Sequence, residues 1–189
     1  ISKVDKPKFI YNDFSTFDKD KSYIFYSGPF WSDDEVEMAV KTFLGGKWLS
    51  SGENVHKFER RFGRMFNTKH SLMVNSGSSA NLVMVGALKK ILKWEDGDEI
   101  IVSPVGFPTT IAPIVQHGLK PVFIDIEFET LNFDVKLIEE KITDRTKGIF
   151  VSPVLGNPPD MDTILDLCDL YDIELILDGC DSLGTKWKD

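Results

Sequence analysis

The stretch Leu175-Ile176-Leu177-Asp178-Gly179-Cys180-Asp181 places an acid directly after a short apolar run and a turn residue directly after the acid. An apolar run of this length with no polar alternation reads as a strand covered on both faces. Similar runs precede it at regular intervals: Ser71 to Asn75, Ile100 to Ser103, Val122 to Asp125 and Gly148 to Val151. Between them, apolar residues fall at helical spacing, as in Ala80, Val83, Met84, Ala87, Leu88 and Ile91, or in Ile164, Leu165, Cys168 and Tyr171. Strand, helix and strand repeated at this length predict right-handed crossovers and an α/β domain with a mainly parallel sheet flanked by helices.

Ahead of this core, Ser32-Asp33-Asp34-Glu35 has the form of a capping box, and a helix is expected from there to Leu44, stopped by Gly45-Gly46. A second helix is expected from Asn54 to Phe66, with Val55, Phe58, Phe62 and Phe66 on one face. Residues 1–30 show no clear period and are expected to form an arm. Residues 31–189 then make up the large domain. There is no internal repeat and no low-complexity tract.

The 189 residues, 42% hydrophobic and 28% charged, suffice for a sizeable core. A net charge of −8 and a pI of about 4.9 argue against nucleic acid as a partner. Two cysteines, Cys168 and Cys180, make neither a disulfide framework nor a spaced metal-binding pair, so a reducing, cytoplasmic setting is expected. No run of ~18 apolar residues is present, and residues 1–20 are charged rather than signal-like, so no membrane partner is expected. A first residue Ile and a last residue just beyond a strand-like run point to part of a longer protein.

In an open parallel sheet, ligands sit at the carboxyl ends of the strands, and the unusual residues collect there. Asn75-Ser76-Gly77-Ser78-Ser79-Ala80-Asn81 turns directly into an apolar helix. Small residues, amides expected to be unpaired at Ser78 and Ser79, and the helix dipole make it a phosphate-site candidate. A capping serine in a tight turn accounts for the same residues. It is neither a Walker loop nor a dinucleotide fingerprint. In Ser103-Pro104-Val105-Gly106-Phe107-Pro108-Thr109-Thr110, Phe107 is the large aromatic at the tip of an irregular loop, placed either to stack on a flat ring or to cap the core. Asp178 stands at the crevice mouth, where a buried charge needs a partner such as a protonated heterocyclic nitrogen, although a solvated helix cap would also fit. His56, His70 and His117 are scattered with no acid or nucleophile at a recognisable spacing. Cys168 reads as core, and Cys180, near the mouth, either as a reactive thiol or, more simply, as a small buried hydrophobe.

Asn75 to Asn81, Gly106-Phe107-Pro108-Thr109-Thr110, Leu155-Gly156-Asn157-Pro158-Pro159-Asp160-Met161-Asp162 and Asp178-Gly179-Cys180-Asp181-Ser182-Leu183-Gly184, in this order, resemble the DegT/StrS-type sugar aminotransferase family. The likeness runs from about Tyr23 to Lys186 and includes Trp48-Leu49-Ser50-Ser51-Gly52. It implies the fold-type-I large domain of pyridoxal-phosphate transferases, with a small carboxy-terminal domain beyond this chain. It also implies pyridoxal 5′-phosphate or pyridoxamine 5′-phosphate as cofactor. Gly77, Ser78 and Ser79 would hold its phosphate, Phe107 would stack on its ring, Asp178 would pair with its ring nitrogen, and Asp181 would contact its oxygen side or the substrate.

Within the family, aminotransferases usually carry Gln where this chain has Asp181. That aspartate, the Gly-Phe-Pro-Thr-Thr loop and Leu-Gly-Asn-Pro are similar to the branch that removes the hydroxyl at carbon 3 of a nucleotide-linked 4-keto-6-deoxyhexose in deoxysugar and lipopolysaccharide biosynthesis. There a histidine replaces the lysine that anchors the cofactor in aminotransferases, and that residue is expected beyond Asp189. No catalytic residue is therefore assigned, and Lys186 and Lys188 read as surface charges. The resemblance further implies a homodimer and, for a dehydratase, a reductase partner. A sugar aminotransferase and a non-catalytic binding or scaffold unit are the other two readings.

Overall fold

The computed structural model describes residues 18–22, 32–45 and 50–188, which fall into two compact units divided between His70 and Ser71. The arm expected over residues 1–30 lies outside the described residues, except for a turn at 18–22 in which the Ser22 amide donates to the Asp18 carbonyl. Trp48 and Leu49 also lie outside them.

In the first unit, α1 spans Asp33–Leu44 and α2 spans Glu53–Met65. The expected capping box forms: the Asp34 amide donates to Ser32 Oγ at 3.2 Å, and the Ser32 amide to Glu35 Oε2 at 2.5 Å. Donation from the Ser32 hydroxyl and amide holds the Glu35 carboxyl below its ordinary value. Along α2 the spacing of Phe58, Phe62 and Phe66 stacks the rings in succession, with centroids 5.7 and 4.6 Å apart.

The second unit runs α3 (Gly77–Leu92), β1 (Glu99–Val102), α4 (Pro108–Gln116), β2 (Lys120–Phe123), β3 (Thr146–Val151), α5 (Met161–Tyr171) and β4 (Glu174–Leu177). The four strands make one wholly parallel sheet in the order β2-β1-β3-β4. Alternation along the buried strands sends side chains to two cores. Ile100, Val102, Phe150 and Ile176 pack with Val85 of α3 and Ile114 of α4. Ile101, Ile149 and Val151 face the other way onto Ile164, Leu167 and Cys168 of α5. Both faces are covered, as the apolar runs required. Pro121, which cannot donate to a ladder, sits on the edge strand β2.

Two expectations are corrected. The strand expected over Ser71 to Asn75 does not form: no ladder pairs with it among the described residues, and Leu72 is 75% exposed. An apolar run becomes a strand only where a neighbour takes its amides and carbonyls. The strand expected at Val122 to Asp125 begins earlier, at Lys120, because pairing runs from Glu99 with Lys120 to Val102 with Phe123 and ends where β1 ends.

Candidate functional site

Because all four strands point the same way, the segments leaving β1 and β4 emerge at one edge of the sheet. Asp178 follows Leu177, and its amide donates to the Val151 carbonyl at 2.8 Å, extending the ladder by one bond. That bond anchors the backbone and leaves the side chain at the edge. The carboxylate is only 8% exposed and caps no helix, which removes the solvated-cap reading. Its Oδ2 accepts from Asn81 Nδ2 at 2.8 Å and from Thr110 Oγ1 at 2.7 Å, while Oδ1 accepts from the Cys180 amide at 3.2 Å. These three neutral donors replace water around a buried anion.

Asn81 lies in the second turn of α3 and Thr110 in the first turn of α4, so the segments of three quoted motifs meet on one carboxylate. Neither residue was singled out from sequence. The available signal was a polar residue on the core-facing side of an otherwise apolar helix, since Asn81 and Thr110 are 5% and 3% exposed.

Phe107 is the N-cap residue of α4, directly ahead of Pro108. At 68% exposed it does not cap the core; it presents its ring to solvent. Gly106 precedes it at φ +151, a conformation that a side chain strongly disfavours, and so turns the loop outward. The start of α3 differs from expectation. Ser76 caps the helix, accepting from the Ser79 amide at 3.1 Å, so that amide is occupied, and the donors left at the helix start are those of Gly77 and Ser78. A cavity of ≈ 180 Å³ lies between α3 and the length of α4, lined by Ser78, Ser79 and Leu82 on one side and by Thr109, Ala112, Pro113 and Gln116 on the other. This is below the roughly 300–1,000 Å³ of a pocket for a whole small ligand, and neither Phe107 nor Asp178 lines it.

Asp181 is exposed in the turn after β4. That turn is fastened at two places. Thr185 Oγ1 donates to the Gly156 carbonyl at 3.1 Å, and Trp187 Nε1 donates to Asp162 Oδ1 on α5 at 3.0 Å, with Lys188 paired to the same carboxylate. Asn132 was also missed. Buried, it donates to the Asn157 carbonyl at 2.8 Å and accepts from the Val154 amide at 3.3 Å, holding a loop in which Leu155 takes a left-handed φ of 52°. Among the described residues no three His, Cys, Asp or Glu side chains gather as a metal site, and no helix is long and apolar enough to cross a membrane.

The doubly covered parallel sheet is that of the pyridoxal-phosphate aminotransferase fold, which solved enzymes of that kind share over about 86% of this chain. The chain belongs to the DegT/DnrJ/EryC1/StrS aminotransferase family, whose pattern matches residues 32–189. It is 40% identical over 160 residues to a GDP-4-keto-6-deoxy-D-mannose 3-dehydratase of Escherichia coli O55:H7, covering 84% of this chain and 41% of the relative. It is 37% identical over 166 residues to a dTDP-4-dehydro-2,6-dideoxy-D-glucose 3-dehydratase of Saccharopolyspora spinosa, covering 86% and 36%. The solved E. coli GDP-4-keto-6-deoxy-D-mannose-3-dehydratase with bound hydrated pyridoxal phosphate superimposes with a TM-score of 0.80 at 39% identity, over 86% of this chain and 42% of that one. The chain thus spans about two fifths of the length of these relatives.

Proposed function

We propose that this chain is the cofactor-binding part of an enzyme that uses pyridoxal or pyridoxamine phosphate to remove the 3-hydroxyl of a nucleotide-linked 4-keto-6-deoxy sugar. The observation that carries the reading is Asp178, a buried carboxylate at the sheet edge with three neutral donors and no cation beside it among the described residues. A carboxylate so placed is suited to a cationic ligand, and the protonated nitrogen of a pyridine ring is one. Phe107 offers the flat face that such a ring needs, Gly77 and Ser78 offer helix-start amides for its phosphate, and Ser79, its amide taken by Ser76, offers a small side chain with a hydroxyl. The residues present fit the group.

The bound cofactor supplies an electron sink when a bond beside its nitrogen is broken. The rest is done by this chain. Asp178 holds a proton on the ring nitrogen by its negative charge, and a low-dielectric site makes that charge count more than it would in water. Phe107 fixes the plane of the ring and excludes water from one face. The start of α3 would hold the phosphate through the Gly77 and Ser78 amides. Asp181, exposed in the turn after β4, would contact the ring oxygen or the substrate.

Dehydration is favoured over transamination by the 3-dehydratase relatives and by Asp181 standing where aminotransferases of the family usually carry Gln. The aminotransferase reading is supported by the family itself. A cytoplasmic homodimer, with a reductase acting on the product, completes the proposal. Full-length protein incubated with each cofactor form and with GDP-, CDP- and dTDP-linked 4-keto-6-deoxy sugars, products followed by mass spectrometry, tests it. A sugar that lacks the 3-hydroxyl and carries no amino group is expected with pyridoxamine phosphate, whose amine is consumed as the pyridoxal form and ammonia in each turnover, and not with pyridoxal phosphate alone. An amino sugar formed only with glutamate would favour the second reading, and a protein that retains neither cofactor on gel filtration would refute both.

A further inference from the structure

We infer that Asn81 and Thr110 are positioning residues that decide which oxygen of Asp178 meets a bound cation, and that Asn81 ties the contacts of the proposed site into one unit. The inference rests on the cofactor reading above and extends it to two residues that touch no ligand there. A carboxylate oxygen has two lone pairs. Both on Oδ2 are filled, by Asn81 Nδ2 at 2.8 Å and Thr110 Oγ1 at 2.7 Å. Oδ1 accepts one bond, from the Cys180 amide at 3.2 Å, so the remaining acceptor position among the described residues is on Oδ1. A ring N–H is therefore met by Oδ1, and the carboxylate cannot rotate to offer the other oxygen without breaking two short bonds.

Asn81 does more than fill a lone pair. Its amide has two N–H donors; one goes to Asp178 and the other to the Thr109 carbonyl at 3.1 Å. Because both neighbours are acceptors, it is the nitrogen that must face them. Asn81 stands one helical turn beyond Ser78, and Thr109 and Thr110 follow Phe107 and Pro108. One buried amide thus links the helix start proposed for the phosphate, the loop that presents the aromatic, and the acid proposed for the ring nitrogen. A displacement of any one is transmitted to the other two through bonds of fixed geometry. Two bonds that served the fold alone would leave the ligand's affinity and spectrum unchanged when weakened.

The test titrates full-length protein, Thr110→Val, Thr110→Ser and Asn81→Asp with pyridoxal 5′-phosphate and with pyridoxamine 5′-phosphate. It reads affinity, the absorbance maximum and the visible circular dichroism of the bound form, with thermal melts of each ligand-free protein alongside. Loss of a bond to a charged group predicts about tenfold weaker binding and a shifted band for Thr110→Val, recovery to within about twofold in Thr110→Ser, and a loss at least as large for Asn81→Asp. Thr110→Val binding like the wild type with an unchanged band, or Thr110→Ser as impaired as Thr110→Val, overturns the inference. So does loss of folding in both Thr110→Val and Asn81→Asp, which makes the bonds structural. If one of the two fails to fold, the other decides by the same readings. A wild type that binds neither probe refutes the cofactor reading itself, whereas a wild type that binds beside indifferent variants refutes only the positioning role.

Discussion

Asp178 Oδ2 lies 2.8 Å from Asn81 Nδ2 although 97 residues separate them, and both side chains are buried. Asp178→Asn can keep this contact, because an amide oxygen accepts from Asn81 and Thr110 as the carboxylate does. The variant therefore removes the charge while keeping these two bonds, losing besides only the 3.2 Å bond from the Cys180 amide to Oδ1. Loss of preorganised charge stabilisation at a buried site typically costs roughly 10²-fold or more in rate. Full-length Asp178→Asn is expected to lose that much in kcat/KM for the proposed reaction while retaining its circular dichroism spectrum. Asp181→Asn, at an exposed position, is expected to be milder. Equal turnover by Asp178→Asn and wild type would remove this residue from the mechanism.

Glu99, at the start of β1, accepts from Lys120 Nζ at 2.8 Å and from Thr143 Oγ1 at 2.7 Å. The Lys120 ammonium first, and the Thr143 hydroxyl second, hold its carboxyl below the ordinary 4.5. A depressed carboxyl stabilises the fold above its unfolded value, and that contribution is lost as pH falls through the folded one. At neutral pH, Glu99→Gln should melt below wild type. The gap should close progressively as the pH is taken below 4.5. A gap that stays constant from pH 7 to pH 3 would show that the pair contributes no pH-dependent stability.

The parallel sheet and its helices were legible because buried strands and amphipathic helices leave periods that few other structures leave. Ser71 to Asn75 carries the same apolar signal as the other runs yet forms no strand, since a sequence period says nothing of whether a pairing neighbour is present. Asp178 was legible as an acid closing an apolar run. Asn81 and Thr110 were not, because what marks them is a meeting of α3, α4 and the segment after β4 that only tertiary structure creates. The Ser79 amide was misjudged for a local reason: with Ser76, Ser78 and Ser79 adjacent, sequence does not say which hydroxyl takes the cap, and Ser76 does.

Burial, reinforced by the Asp169 and Glu174 carboxylates, pushes the Cys168 thiol up to about 11, whereas Cys180, expected to be buried, is exposed because it lies in the turn after β4. Only the thiolate reacts with alkylating agents. At pH 8 a thiol at 11 is ionised to about one part in 10³, so native protein treated with iodoacetamide should be labelled at Cys180 well before Cys168. Peptide mapping by mass spectrometry reads the order. Equal early labelling of the two would mean that the face of α5 packed on the sheet opens readily.

Gly86 of α3 faces the imidazole of His117, whose Nε2 lies 2.9 Å from the Leu82 carbonyl of the same helix. A Cβ added at Gly86 would stand 2.7 Å from His117 Cε1 and 2.8 Å from Nε2, closer than real contacts allow, so the ring would have to swing away and lose that bond. Replacing glycine by alanine inside a helix ordinarily stabilises by about 1 kcal/mol, and a lost neutral hydrogen bond costs about as much. The two effects oppose each other, so Gly86→Ala alone should shift stability by less than about 0.5 kcal/mol. In a His117→Ala background the obstruction is gone, and the same substitution should recover the full helical gain of about 1 kcal/mol. A double-mutant cycle by urea unfolding measures the difference. Additive effects would show that His117 yields its place without cost, and a loss of several kcal/mol for Gly86→Ala alone would mean that the ring cannot move at all.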